Sequence, residues 1–104
     1  EKALRYVNRH YAEKITLRDV CERCCCSRSA VSHTFKKTTG KSFREYLIAK
    51  RLQTAKLLLV HSGLSITEIS ASVGFSDSNY FSNVFKKTVG ISPRTFRNKS
   101  RTNA

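Results

Sequence analysis

Residues 24–37 read CCCSRSAVSHTFKK, and residues 74–87 read GFSDSNYFSNVFKK. Both end on Phe-Lys-Lys and share a rhythm of serines with aromatic or aliphatic residues, but one opens on three cysteines and the other on Gly-Phe. Working outward from them exposes a repeat, in which Thr16–Tyr46 lies over Ser65–Phe96. Leu17 meets Ile66, Val20 meets Ile69, Cys21 meets Ser70 and Cys24 meets Val73. Cys25 then meets Gly74, Cys26 meets Phe75 and Ser27 meets Ser76. After one extra residue in the second copy, Phe35 meets Phe85, Lys36-Lys37 meets Lys86-Lys87, and Gly40 meets Gly90. Ser42 meets Ser92, and Tyr46 meets Phe96. The repeated unit is a capped helix, a short turn, and a second helix ending in Phe-Lys-Lys-Thr-x-Gly.

Capping chemistry fixes where these helices start. Thr16-Leu-Arg-Asp19, Ser42-Phe-Arg-Glu45 and Ser65-Ile-Thr-Glu68 each offer a hydroxyl to a first-turn N–H and a carboxylate three residues on to reach back. Ser92-Pro93 marks another start, with Pro at the first helical position, where its missing N–H does no harm. Gly40 and Gly90 sit where a left-handed helix terminus wants glycine. Between these marks the apolar period is helical. Ala3, Leu4, Val7 and Tyr11 give a first helix; Leu17, Val20, Cys21 and Cys24 give a second; Val31 and Phe35 define a third. Residues 42–60 form a longer helix with a broad apolar surface. Ile66, Ile69 and Val73 give a fifth, Phe81 and Phe85 a sixth, and Phe96 a short seventh. The chain reads as all-α.

Composition agrees. A single Pro and four Gly leave little punctuation for hairpins, and 39% hydrophobic residues support a modest core in 104 residues. No apolar run approaches the roughly 20 residues needed to cross a bilayer. No signal-peptide pattern is present, and the lack of an initiator Met leads us to expect a fragment with upstream domains. Charge is the dominant fact: twenty Lys and Arg against seven Asp and Glu give +13. Basic residues are absent between Leu57 and Phe85 and cluster near Arg18–Arg51 and Lys86–Arg101. A patterned polycation wants a polyanion, and nucleic acid leads, ahead of an acidic membrane surface or a merely soluble basic face.

Two short helices joined by a tight turn on a basic chain are what a helix-turn-helix requires, the second helix entering the major groove. The segment GFSDSNYFSNVFKKTVGISPRTFR resembles the C-terminal signature of the AraC/XylS family of bacterial transcription regulators. KRLQTAKLLL resembles that family's linker helix, and FKKTTGKSFREYL its first-motif boundary. The resemblance implies seven helices in two helix-turn-helix subdomains joined by a long linker helix: residues 1–41, 42–60 and 61–104. It also implies that both recognition helices enter successive major grooves of double-stranded promoter DNA, about 34 Å apart, one helical turn. It further implies a cytoplasmic, nucleoid-bound protein with no membrane partner, RNA polymerase as a partner of the full regulator, and dimerisation through a domain not in this chain. The fragment itself is expected to be monomeric, without cofactor or metal.

The first recognition helix should run from about Arg28 to Thr38. With Val31 and Phe35 buried, the opposite stripe offers Ser29, Ser32, His33 and Lys36. Ser32 and His33 match family positions that usually face base edges. Serine accepts several bases, so Ser29 and Ser32 discriminate weakly; His33 either donates to a guanine acceptor or faces phosphate or solvent. The second should span about Asp77 to Thr88. Tyr80, Phe81, Val84 and Phe85 are expected to point inward, leaving Ser78, Asn79, Ser82 and Asn83 towards the groove. Asn79 or Asn83 suits adenine, with a phosphate or water contact as the alternative. Asp77 is expected to cap its helix. Candidate phosphate clamps are Arg28, Lys36, Lys37, Lys41, Arg44, Lys86, Lys87 and Arg94, with the helix starts at Ser42 and Ser92. Arg51 matches a basic family position on the linker helix and either contacts phosphate or braces the two lobes. Lys2, Arg5, Arg9 and Lys14 read as a solvated face.

Four cysteines within six residues raise zinc, disulfides or redox sensing. Zinc lacks a second ligand pair nearby in sequence. A disulfide framework does not suit a reducing bacterial cytosol. Cys21 and Cys24 fall on the apolar face with Leu17 and Val20, so they read as small buried hydrophobes, and a thiol switch remains the secondary possibility. Cys25 replaces the glycine of the second copy, at a turn that calls for positive φ. The three His and the carboxylates form no acid/base or nucleophile constellation, and no Gly-rich phosphate loop appears, so an enzyme is not expected.

Overall fold

The computed structural model describes residues 2–102. Among them are seven helices and no strand: α1 Lys2–His10, α2 Leu17–Cys24, α3 Arg28–Thr39, α4 Phe43–His61, α5 Ile66–Ser72, α6 Ser78–Val89 and α7 Pro93–Thr102. The chain divides into two compact units, with the division inside α4 between Lys50 and Arg51.

Every expected helix start carries its cap. The Asp19 N–H donates to Thr16 Oγ1 (3.2 Å) and the Thr16 N–H to Asp19 Oδ2 (2.8 Å), closing a full capping box. Ser42 with Glu45 and Ser65 with Glu68 repeat it, the returning N–H···carboxylate bonds measuring 2.9 and 2.8 Å. These contacts hold the Glu45 and Glu68 carboxyls below their usual pKa, the serine backbone N–H contributing most and the hydroxyl next. Ser27 accepts from the Ala30 N–H (3.1 Å), and Asp77 caps α6 by accepting from the Asn79 N–H (2.8 Å). Gly40 and Gly90 end α3 and α6 at φ 75° and 101°, their N–H groups donating to Lys36 and Lys86 carbonyls.

In the first unit Ala3, Val7, Ile15, Val20, Val31, Phe35 and Leu47 form one buried cluster, with Phe43, Tyr46, Cys21 and Cys24 packed against it. Phe35 is fully buried and meets Phe43 edge-on at 5.7 Å and Tyr46 at 5.6 Å. The Tyr46 hydroxyl donates to Asn8 Oδ1 (2.7 Å), which ties α4 to α1. In the second unit Leu52, Ala55, Leu59, Ile69, Val73, Phe75, Phe81 and Phe85 are buried. Phe85 meets Phe96 edge-on at 5.6 Å, the pairing that Phe35 makes with Tyr46. Arg97 donates to the carbonyls of Leu59 (3.0 Å) and Ser62 (3.3 Å), closing the C-terminal end of α4 with a cation where the helix dipole favours one.

The repeat extends to the turns. The Cys26 N–H donates to Cys21 O (3.1 Å), and the Phe75 N–H to Ser70 O (3.0 Å), the same bond in each copy. Cys25 adopts φ 54° and ψ 39°, the one positive-φ residue other than glycine among the described residues; Gly74 takes φ 109°. The sidedness of Tyr80 differs from expectation. Tyr80 is 41% exposed rather than inward, because Phe75 occupies the space beneath it and the two rings meet at 6.0 Å. Cys26, aligned with buried Phe75, is exposed: its short side chain turns back to donate to Cys24 O (3.2 Å) instead of reaching the core.

Candidate nucleic-acid interface

The buried residues of α3 recur at i and i+4, Val31 and Phe35, and those of α6 likewise, Phe81 and Phe85. This pins the rotation of each helix and decides what faces outward. On α3, Ser29, Ser32 and His33 are all exposed, as are Arg28, Lys36 and Lys37. On α6, Asn79 and Asn83 are exposed with Lys86 and Lys87, whereas Ser78 and Ser82 are half-buried. Asparagine therefore dominates the outward polar chemistry of α6, and Tyr80 joins that face. The alignment contained a signal for Tyr80, since its counterpart Ala30 falls off the Val31/Phe35 stripe and is also exposed.

Around these helices, Lys41, Arg44 and Arg94 are exposed beside the caps Ser42 and Ser92. Arg51 differs from the other candidate clamps. It is half-buried with its guanidinium over the Phe75 ring, 5.5 Å from the centroid. Burial lowers its pKa from the ordinary value, against a smaller opposing effect of Tyr80.

Neither α3 nor α6 contains a carboxylate. The acids of the described residues are engaged close by in sequence. Asp19, Glu45 and Glu68 close capping boxes, and Asp77 is an N-cap. Glu22 pairs with Arg18 and Glu13 with His10. Glu45, at the start of α4, feels the charges of Lys36 and Lys41, which help to lower its pKa, so the end of α3 is partly compensated; both second helices nevertheless present exposed hydrogen-bonding side chains beside a lysine pair.

A family profile described as "Helix-turn-helix domain" matches residues 20–99. Regulatory protein PocR of Salmonella typhimurium is 35% identical over 104 residues, covering 100% of this chain and 34% of that protein. The Arabinose operon regulatory protein of Escherichia coli is 37% identical over 97 residues, 92% of this chain and 33% of that one. Among solved structures, the C-terminal domain of AraT, a response regulator from Geobacillus stearothermophilus, is 35% identical with a TM-score of 0.90, covering 93% of this chain and 81% of that one. The DNA-binding domain of AdpA in complex with a target DNA is 25% identical with a TM-score of 0.92, covering 97% and 91%. The chain belongs to the AraC/XylS family of helix-turn-helix proteins. It spans about a third of the length of the curated relatives it matches.

Proposed function

We propose that this chain is the sequence-specific DNA-binding module of a bacterial transcription regulator, a binding module and not an enzyme. Helices α3 and α6 enter successive major grooves of double-stranded promoter DNA. Ser29, Ser32 and His33 read one half-site; Asn79 and Asn83, flanked by Ser78 and Ser82, read the other. Exposed Ser29, Ser32 and His33 beside Lys36 and Lys37, matched by Asn79 and Asn83 beside Lys86 and Lys87, carry this reading. Asparagine can satisfy the adjacent donor and acceptor of adenine, so the α6 half-site should contain it. Arg28, Lys36, Lys37, Lys41, Arg44, Lys86, Lys87 and Arg94 serve the phosphates, helped by the N-terminal N–H groups of α4 and α7. Arg51, packed on Phe75, holds the start of the second unit. The DNA complex of AdpA, which shares this fold, supports the reading. In the whole regulator, RNA polymerase and a second copy of the protein are the further partners, and the protein works in the cytoplasm, on the nucleoid.

Selecting binding sites from random duplex DNA tests it. The expected outcome is two preferred half-sites about one helical turn apart, with affinity falling by about 0.9 log units per neutralised phosphate for each log unit of salt. Absence of any selected sequence, or a flat salt dependence, overturns the proposal.

A further inference from the structure

The two copies differ most where the turn meets the second helix. Helices α3 and α6 have equal length and start directly after their caps, so their positions correspond one to one. Positions 73, 75, 80, 81 and 84 carry Val, Phe, Tyr, Phe and Val; the matching positions 24, 26, 30, 31 and 34 carry Cys, Cys, Ala, Val and Thr. In the second unit this space is filled: Phe75 is 5% exposed, and its ring meets Tyr80 at 6.0 Å and Phe81 at 5.2 Å. In the first unit the same five positions, Cys24, Cys26, Ala30, Val31 and Thr34, line an open groove of about 310 Å³, with Lys2 also in its wall. One copy thus stacks aromatic rings where the other leaves a mostly apolar slot bordered by two thiols, half-buried Cys24 and exposed Cys26.

We propose that this groove is a covalent site for a quinone-class electrophile, with Cys26 as its nucleophile. The ring takes the space that Phe75 and Tyr80 fill in the second unit, flanked by Val31, Ala30 and Thr34. The Cys26 sulfur lone pair forms an S–C bond to a ring carbon, and the electrons of the conjugated C=C shift to the carbonyl oxygen. Lys2 places a cation near that developing oxyanion. The thiol proton ends on one oxygen and the displaced ring proton on the other, so the quinone becomes a hydroquinone thioether without a further oxidant or reductant. Cys25 is the built-in control: it is also exposed and adjacent in sequence, but it does not line the groove. An adduct here lies beside Ser29, so coupling to DNA binding would rest on the proposed function, whereas the site itself does not.

The test treats the reduced chain with limiting 1,4-benzoquinone or, separately, acrylamide, an acyclic Michael acceptor. Fragmentation of the tryptic peptide CCCSR (residues 24–28) then locates the adducts. Because burying part of a ring favours the encounter, the Cys26 to Cys25 ratio should be about tenfold higher with benzoquinone than with acrylamide. Ala30→Tyr, which supplies the ring that Tyr80 provides in the other unit, should abolish that excess. Equal ratios for the two reagents overturn the proposal, as does an excess that survives in a folded Ala30→Tyr chain. The reagent comparison on the unsubstituted chain decides the matter even should that variant not fold.

Discussion

Replacing Cys25 by glycine should stabilise the first unit. Cys25 holds φ 54°, where a side chain's Cβ crowds the following carbonyl at a cost of about 1–2 kcal/mol that glycine avoids. Little is forfeited in exchange, since the side chain is exposed and its thiol makes only a 3.9 Å contact with Glu22 O. Glycine does enlarge the conformational freedom of the unfolded chain, which removes about 0.4–1 kcal/mol of the benefit. The expected net gain is therefore about 0.5–1 kcal/mol, or a few degrees in midpoint for a chain of this size. Cys25→Ala keeps the strain and loses only the thiol, so it should lie close to the parent. Urea unfolding under reducing conditions, followed by tyrosine emission, suits the question: Tyr6, Tyr11 and Tyr46 belong to the first unit and Tyr80 to the second. A glycine variant no more stable than the parent, or an alanine variant that gains as much, would refute the strained-turn argument.

Three further outcomes concern stability. Ser70 is 1% exposed and its hydroxyl has no hydrogen-bond partner, so Ser70→Ala should raise stability by about 1 kcal/mol in chemical denaturation; a loss would mean the hydroxyl is satisfied. Arg97→Ala removes the cation from the Leu59 and Ser62 carbonyls at the end of α4, and thermal unfolding should show a loss of about 1–2 kcal/mol. Glu45 and Glu68 have folded pKa values below 4.5, so their contribution is complete above that value and is lost as pH falls through the lowered pKa. Unfolding midpoints should therefore fall on acidification below about pH 4.5, and the double variant Glu45→Gln with Glu68→Gln should flatten that limb of the profile.

The fold was legible because its local signals agree with one another. Each hydroxyl–carboxylate pair at Thr16, Ser42 and Ser65 fixes a helix start, and each Phe-Lys-Lys-Thr-x-Gly fixes an end, so the long helix was placed to within one residue at either side. Val31/Phe35 and Phe81/Phe85 then set which faces are buried. Even the strain at Cys25 could be anticipated, from Gly74 at the matching turn. What a period cannot reveal is how neighbours share one space. Tyr80 turns outward because Phe75 is beneath it, a competition between two rings distant from any helical spacing rule. Cys26 stays at the surface because a thiol is too short to reach where a phenyl ring reaches. The half-burial of Ser78 and Ser82, which leaves Asn79 and Asn83 as the leading polar groups of α6, is likewise a packing outcome.

The central claim is that α3 and α6 read separate half-sites, with base readers distinct from phosphate clamps. The most direct test compares site-selection profiles of the parent, Asn83→Ala and Lys86→Ala chains. Asn83→Ala should relax preference at one or two adjacent positions of a single half-site, a change worth about 1–3 kcal/mol there, and leave the other half-site as in the parent. Lys86→Ala should weaken all sequences alike and lower the salt slope by about one. Sequence-blind losses of equal size from both substitutions would contradict the account.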